Sequence, residues 1–262
     1  MIKVILISDY AQSRIQTANN WVVNSSFEHL INLVSTDGKI ISIHDQSVPI
    51  NPLSVSVDCF ETFKSKPVYE SLNFKNTEVI ATKMVSRAQN DLDIGKRIAH
   101  LESFLDLIEP KEKSLSHFST NLSIHGKKIV YQADLDFVES FLSTKLQNVE
   151  DVWTLPAAIG LGIGLTPSTD DFILGMLCAF DYYGVPDAQF RLNIRDNLPN
   201  TTLISAAFLS AGLNSHYSTS LLNMIQNFSC STIEKVSSVG FSSGLDTISG
   251  VLFALKFMKA IS

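Results

Sequence analysis

Gly160-Leu161-Gly162-Ile163-Gly164-Leu165-Thr166-Pro167-Ser168-Thr169-Asp170-Asp171-Phe172-Ile173-Leu174-Gly175 reads as a glycine loop running into a helix, and the rest of the chain is read around it. Three alternating glycines free the backbone for left-handed or crowded angles, so that successive NH groups can converge on one point, an arrangement that favours anions. Thr166 is a good N-cap that puts Pro167 on the first helical position; alternatively Ser168 caps and Asp171 closes a capping box. Either way the orphan NH groups and the positive end of the helix dipole face whatever the glycines surround. The plain alternative is a tight turn leading into a well-capped buried helix.

Outward from this loop, the second half of the chain carries helical patterns over 137–146, 172–182, 203–213, 221–228 and 247–258, and no convincing strand follows Asp134. The run Phe172–Phe180 is apolar nearly all round, which marks a helix at the centre of a bundle. The first half reads differently. Ile2–Ser8, Trp21–Val23, Ile31–Thr36, Lys39–His44 and Leu53–Asp58 are strand-like, with Asp37-Gly38 a two-residue hairpin signal between the third and fourth. Ile94, Ile98, Leu101, Leu105 and Ile108 then recur at helical spacing until Pro110, and a hairpin turning at His125-Gly126 is expected to rejoin the strands. The expectation is an α+β fold: a β-rich domain over 1–132 with one inserted long helix, then a helical domain over 133–262 that carries the glycine loop.

Composition limits the function. With 262 residues, 45% of them hydrophobic, and a net charge of −6, the chain is suited to a packed core and ill-suited to a nucleic-acid or anionic-membrane surface. Cys59, Cys178 and Cys230 are odd in number and widely spaced, which points to reduced thiols and a cytoplasmic setting. The amino-terminal apolar run is too short for a signal sequence, and no run approaches a membrane span. The six histidines have no metal-ligand spacing, and the glycine loop lacks the Gly-Lys-Ser/Thr ending of a Walker loop and the preceding strand of a dinucleotide fingerprint.

A second segment repeats the first. Gly240-Phe241-Ser242-Ser243-Gly244-Leu245-Asp246-Thr247-Ile248 aligns residue for residue with Gly164–Phe172, recurring as glycine, hydroxyl and aspartate before an apolar helix. Two helix starts could therefore converge on one site, or two well-capped helices could look alike because caps use few residue types. A third polar-to-apolar start lies at Asn200-Thr201-Thr202-Leu203-Ile204-Ser205, where Thr202 reads best as a plain cap. Between Leu146 and Glu234 the basic residues are Arg191 and Arg195 alone, so a bound anion would lean on backbone NH groups and hydroxyls. Asp170, Asp171 and Asp246 could instead hold a divalent cation such as Mg²⁺ that bridges to a phosphate, although adjacent Asp170 and Asp171 cannot both aim at one atom.

Gly162–Phe172, Thr201-Thr202 with Ser205, and Gly240–Asp246 together resemble the AllH-type family, and Phe27–Leu33 before its hairpin is similar too. The resemblance implies a subunit of oxamate carbamoyltransferase in allantoin breakdown, which with companion subunits converts oxalurate and phosphate to oxamate and carbamoyl phosphate. It places Gly162, Gly164, Thr166, Ser168, Thr202, Ser205, Ser242, Ser243 and Gly244 at the ligand, which would be carbamoyl phosphate, phosphate or oxamate. Asp170, Asp171 and Asp246 are then the candidate catalytic acids. The chain departs from the family pattern at Ile163, Thr169 and Phe241, where proline, glycine and histidine are usual, so a paralogue with another substrate is an alternative. A non-catalytic assembly or regulatory subunit that binds a small anionic effector is the other.

Overall fold

A computed structural model describes residues 1–85, 93–109, 114–131 and 137–262. The chain divides into two compact units, Met1–Lys83 with His216–Leu222, and Met84–Ser215 with Asn223–Ser262. The fold is α+β, a mixed sheet in the first unit and a mainly helical second unit.

In the first unit β1 (Ile2–Ser8) runs directly into α1 (Asp9–Gln16), then come β2 (Val22–Ser26), β3 (Leu30–Val34), β4 (Ile40–His44) and β5 (Ser54–Val57). After α2 (Phe60–Ser65) the short strands β6 (Leu72–Asn73) and β7 (Glu78–Ile80) complete the sheet. Its order is β2-β3-β4-β5-β1-β6, with β7 also on β1. The Asp37-Gly38 turn closes the β3–β4 hairpin as expected: Gly38 takes φ +79°, its NH bonds Ser35 O, and the strands pair antiparallel from Leu30↔His44 to Val34↔Ile40. One face is apolar, with Val4, Ile31, Leu33, Ile41, Ile43, Val55, Val57, Phe60 and Phe63 forming its core. The sequence reading missed α1 because its run is polar and buries only Ala11; what starts it is Ser8, whose hydroxyl accepts from Ala11 N at 2.9 Å. The returning segment is tied in by Tyr217 N to Thr82 O and Thr219 N to Ile50 O.

The second unit begins with α3 (Ile94–Leu105), the expected amphipathic helix, which buries Ile98, Leu101 and Leu105. Its expected stop at Pro110 lies outside the described residues, as does the expected domain boundary between 132 and 133. β8 (Leu122–His125) and β9 (Lys128–Tyr131) do form a hairpin at Gly126, but it is a two-stranded sheet of its own rather than a return to the larger sheet. The helices α4 (Phe137–Lys145), α5 (Ser168–Tyr183), α6 (Ala188–Asn197), α7 (Leu203–Leu213), α8 (Thr219–Gln226), α9 (Cys230–Ser237) and α10 (Ser243–Ile261) follow, with a 3₁₀ stretch over Val149–Ala158. α8 crosses from one unit to the other between Leu222 and Asn223.

At the centre of this unit α5 packs along α10. Thr166 meets Ser243, Gly175 lies against the backbone of Thr247 and Val251, and Phe180 stacks near Phe257, so the helices run parallel in the register of the sequence repeat. Close approach is possible because glycines face backbone: a Cβ on Gly175 would lie 2.1 Å from Thr247 O, and one on Gly250 would lie 1.9 Å from Phe172 O. Around the contact Trp153, Phe180, Phe190 and Phe257 form one aromatic cluster, and Phe118, Phe172 and Phe253 another. Parallel packing has an electrostatic consequence. It sets two positive helix ends side by side, which negative charge in the first turns offsets.

Candidate functional site

Three helix starts come together in the second unit, those of α5, α7 and α10. The glycine loop takes the backbone its sequence predicts, with φ +92° at Gly160, +122° at Gly162 and +90° at Gly164. Two of these positions are also crowded. A Cβ on Gly160 would lie 2.2 Å from Asn200 O, so the loop rests on the segment leading to α7, and one on Gly162 would lie 2.5 Å from Ser168 N, so the loop folds back over the α5 start. At Gly164 nothing stands within 4 Å, and 162–165 are exposed.

The capping differs from the expectation. α5 begins at Ser168 after Pro167, and neither Thr166 nor Ser168 caps it. The loop does that work instead: Thr169 N bonds Leu161 O, and the Thr169 hydroxyl bonds the carbonyls of Ala158 and Leu161. Thr166 is thereby released to bond Ser243 Oγ at 2.9 Å, joining the starts of α5 and α10. Ser242 precedes α10 without a side-chain cap bond, and Gly244 is pressed against Val236 O, where a Cβ would lie 1.9 Å away. Thr202 is the plain cap expected, accepting from Ser205 N at 3.1 Å, and it also donates to Leu165 O at 2.5 Å.

The three acids have different surroundings. Asp170 is the knot of the site: Oδ1 accepts from Gly160 N at 2.7 Å, and Oδ2 accepts from Thr201 Oγ1 and Ser205 Oγ, each at 2.5 Å. Both oxygens are thus held by the protein itself, and the residue is buried. Asp246, fully buried in the first turn of α10, accepts from Leu115 N at 2.6 Å. Asp171 turns the other way from Asp170, as the helical period requires, toward Ser243 and Asp246. Burial pushes its carboxyl well above the usual carboxylate range; the Ser243 and Thr166 hydroxyls oppose that shift, and the negative charges of Asp246 and Asp170 reinforce it. Its Oδ2 is buried and accepts no hydrogen bond. Among the described residues no group of three or more His, Cys, Asp or Glu is placed to hold a metal ion. With Asp170 engaged on both oxygens, the three aspartates are not a cation cage.

Sequence reasoning quoted Thr201 within the third helix start without giving it a role at the site, and missed Leu115, which contacts Asp246 from a distant part of the chain. Arg191 is paired with Asp181, in the last turn of α5, and with Asp187. Apolar side chains stand exposed at these starts: Ile163, Leu165, Leu203 and Phe241, Phe241 at 73%. Two surface cavities, of about 390 and 500 Å³, are lined by residues of the β8–β9 hairpin, α4, the 3₁₀ stretch and the end of α10, away from the three helix starts. No helix among the described residues is long and apolar enough to cross a membrane.

No solved structure matches the chain. A sequence family does, over the part that holds all three helix starts, the glycine loop and the three aspartates: residues 158–255 match the model of the family described as Oxamate carbamoyltransferase subunit AllH, and the resemblance read from the motifs is to that family.

Proposed function

We propose that the chain is a subunit of an oxamate carbamoyltransferase-like enzyme and that the three converging helix starts hold its small anionic, carbamoyl-bearing ligand. The observation that carries this reading is the convergence itself. The family match covers the place where a glycine loop, two parallel helix starts and a buried acid with one unpartnered oxygen meet. In the reaction a phosphate oxygen bonds to the carbamoyl carbon of oxalurate while its bond to the oxamate nitrogen breaks, and the proton lost by hydrogen phosphate ends on that nitrogen. Gly162 and Gly164 would offer backbone NH groups, and Thr166, Ser168, Ser242 and Ser243 hydroxyls, to the ligand's oxygens, whereas the Gly244 NH is spent on Val239 O at 3.0 Å. Asp170, with Thr201, Thr202 and Ser205 around it, orders the loop rather than reacting. Asp171, whose Oδ2 accepts no hydrogen bond, is the acid left to face the ligand.

Negative charge that develops during transfer needs more than neutral donors, and Gly162, Gly164 and the hydroxyls of Thr166 and Ser243 are neutral. The positive charge is therefore assigned to companion subunits, which the apolar rim of Ile163, Leu165, Leu203 and Phe241 suits as a seat. The test is a carbamoyl-transfer assay on the purified chain and on its mixture with the other subunits. Turnover in the mixture alone supports the proposal. Full turnover by the lone chain removes the need for partners, and a verified complex inactive toward oxamate points to a paralogue with another substrate.

A further inference from the structure

We infer that Asp171 carries the proton of the transfer: its Oδ2 hands a proton to the nitrogen that leaves the carbamoyl carbon, and takes one back from the attacking phosphate. The inference rests on the proposed function and assigns the proton path that the reaction needs and that reading leaves open. Asp171 Oδ2 has no hydrogen-bond partner, in a residue more than nine-tenths buried in the first turn of α5. The Thr166 and Ser243 hydroxyls, bonded to each other at 2.9 Å, also bond the Asp171 carboxyl and so tie it to the start of α10. Because Oδ2 has no partner, those hydroxyls hold the other oxygen.

A carboxyl bonded on one oxygen and buried on the other is suited to keep a proton rather than a charge. Burial is the largest cause and pushes the group well above the usual carboxylate range; Asp246 of α10 and Asp170 of its own helix are the acids that face it. The hydroxyls act as donors to one oxygen, so the proton sits on Oδ2, where the protein gives it no acceptor. A ligand nitrogen completes that bond. Asp170 cannot take this part, because its Oδ1 accepts from Gly160 N and its Oδ2 from Thr201 and Ser205. Nor can His117, two residues from the Leu115 that bonds Asp246, since its ring nitrogens are engaged by Leu105 O and Ser116 Oγ. As the bond between the carbamoyl carbon and the nitrogen of oxalurate breaks, Asp171 gives its proton to the nitrogen that becomes the oxamate amide. The carboxylate so formed takes the proton that hydrogen phosphate loses when its oxygen bonds to the carbamoyl carbon. Asp171 ends as it began, and it serves the reverse reaction with the two roles exchanged.

The experiment uses the complex reconstituted with its companion subunits and carrying either the parent chain or Asp171→Asn, which keeps the shape of the side chain and has no transferable proton. Equal mass of the two complexes shows that the variant assembles, and calorimetric titration with oxamate measures ligand binding apart from turnover. The variant is expected to bind oxamate within about threefold of the parent while kcat falls at least about 100-fold. In the parent, kcat should fall as pH rises and Asp171 loses its proton, and the residual rate of the variant should lack that fall. A variant complex that turns over within about threefold of the parent, or that loses oxamate binding in proportion to turnover, overturns the inference and leaves the proposed function standing. A parent complex without turnover overturns the proposed function and the inference with it. Should Asp171→Asn fail to assemble, the parent profile decides alone: a kcat that is flat between about pH 6 and 9 overturns the inference, and one that falls with rising pH supports it.

Discussion

Removing the Asp170 carboxylate should damage the fold of the site, and by an amount that its hydrogen bonds set. In Asp170→Ala the donors Gly160 N, Thr201 Oγ1 and Ser205 Oγ lose their acceptor at once, while Thr169 Oγ1, at 3.3 Å, keeps its two carbonyls. Hydrogen bonds to a charged acceptor contribute about 1.5–3 kcal/mol each, and neighbouring losses do not add fully, so a net cost of about 4 kcal/mol is expected. For a chain of this size that lowers the melting temperature by about 8–16 °C. Asp170→Asn should be far milder, at about 1–2 kcal/mol. Its amide oxygen keeps the bond from Gly160 N, and its NH2 group can donate to Thr201 and Ser205 once those hydroxyls rotate. Thermal melts of the two variants, followed by circular dichroism, make the comparison. If Asp170→Ala melts within a degree or two of the parent, or if Asn and Ala cost the same, Asp170 is not the knot described.

The other predictions follow from the same contacts. Burial holds the Asp171 carboxyl well above the ordinary carboxylate range, so below about pH 4 it is protonated whether folded or unfolded and costs nothing; as pH rises, the unfolded chain ionises first and stability falls until the folded group titrates. Asp171→Asn should therefore flatten the loss of stability above about pH 4, and melts of both proteins from pH 4 to 8 that keep a constant gap would sink the argument. Gly250→Ala and Gly175→Ala press a methyl into the backbone of the partner helix and should each cost at least about 2–3 kcal/mol, read as a loss of several degrees in the melt. Gly164→Ala meets no neighbour and should cost only about 1–2 kcal/mol for its positive φ, yet it should reduce the thermal shift with oxamate. In the parent that shift should be about 5–10 °C at 100 times the dissociation constant.

Much of this was legible in the sequence where the signal is local. Asp37-Gly38 specified its hairpin, the apolar run of Phe172–Phe180 its central helix, and the repeat between Gly164–Phe172 and Gly240–Ile248 gave the register in which two helices pack. What stayed hidden depends on contacts across the chain. Thr166 reads as a cap because it precedes proline, but the Leu161 and Ala158 carbonyls take up the start of α5 and free Thr166 for Ser243. The 122–131 hairpin looked like part of the large sheet because hairpin chemistry says nothing of which sheet it joins. α6 was passed over because its run is polar, although Phe190 and Ile194, four apart and both fully buried, mark its inner face. The different roles of Asp170 and Asp171 needed Thr201, Ser205 and Asp246 in place around them.

The most direct test of the account is carbamoyl phosphate formation from oxalurate and phosphate by a complex reconstituted with either the parent chain or a Thr166→Val, Ser243→Ala double variant. Both complexes are first confirmed to assemble to the same mass. The account predicts that turnover with the double variant falls by at least about 100-fold, since donors at the reacting group contribute on that scale. Undiminished turnover by the assembled variant complex would contradict it and place the catalytic site on another subunit.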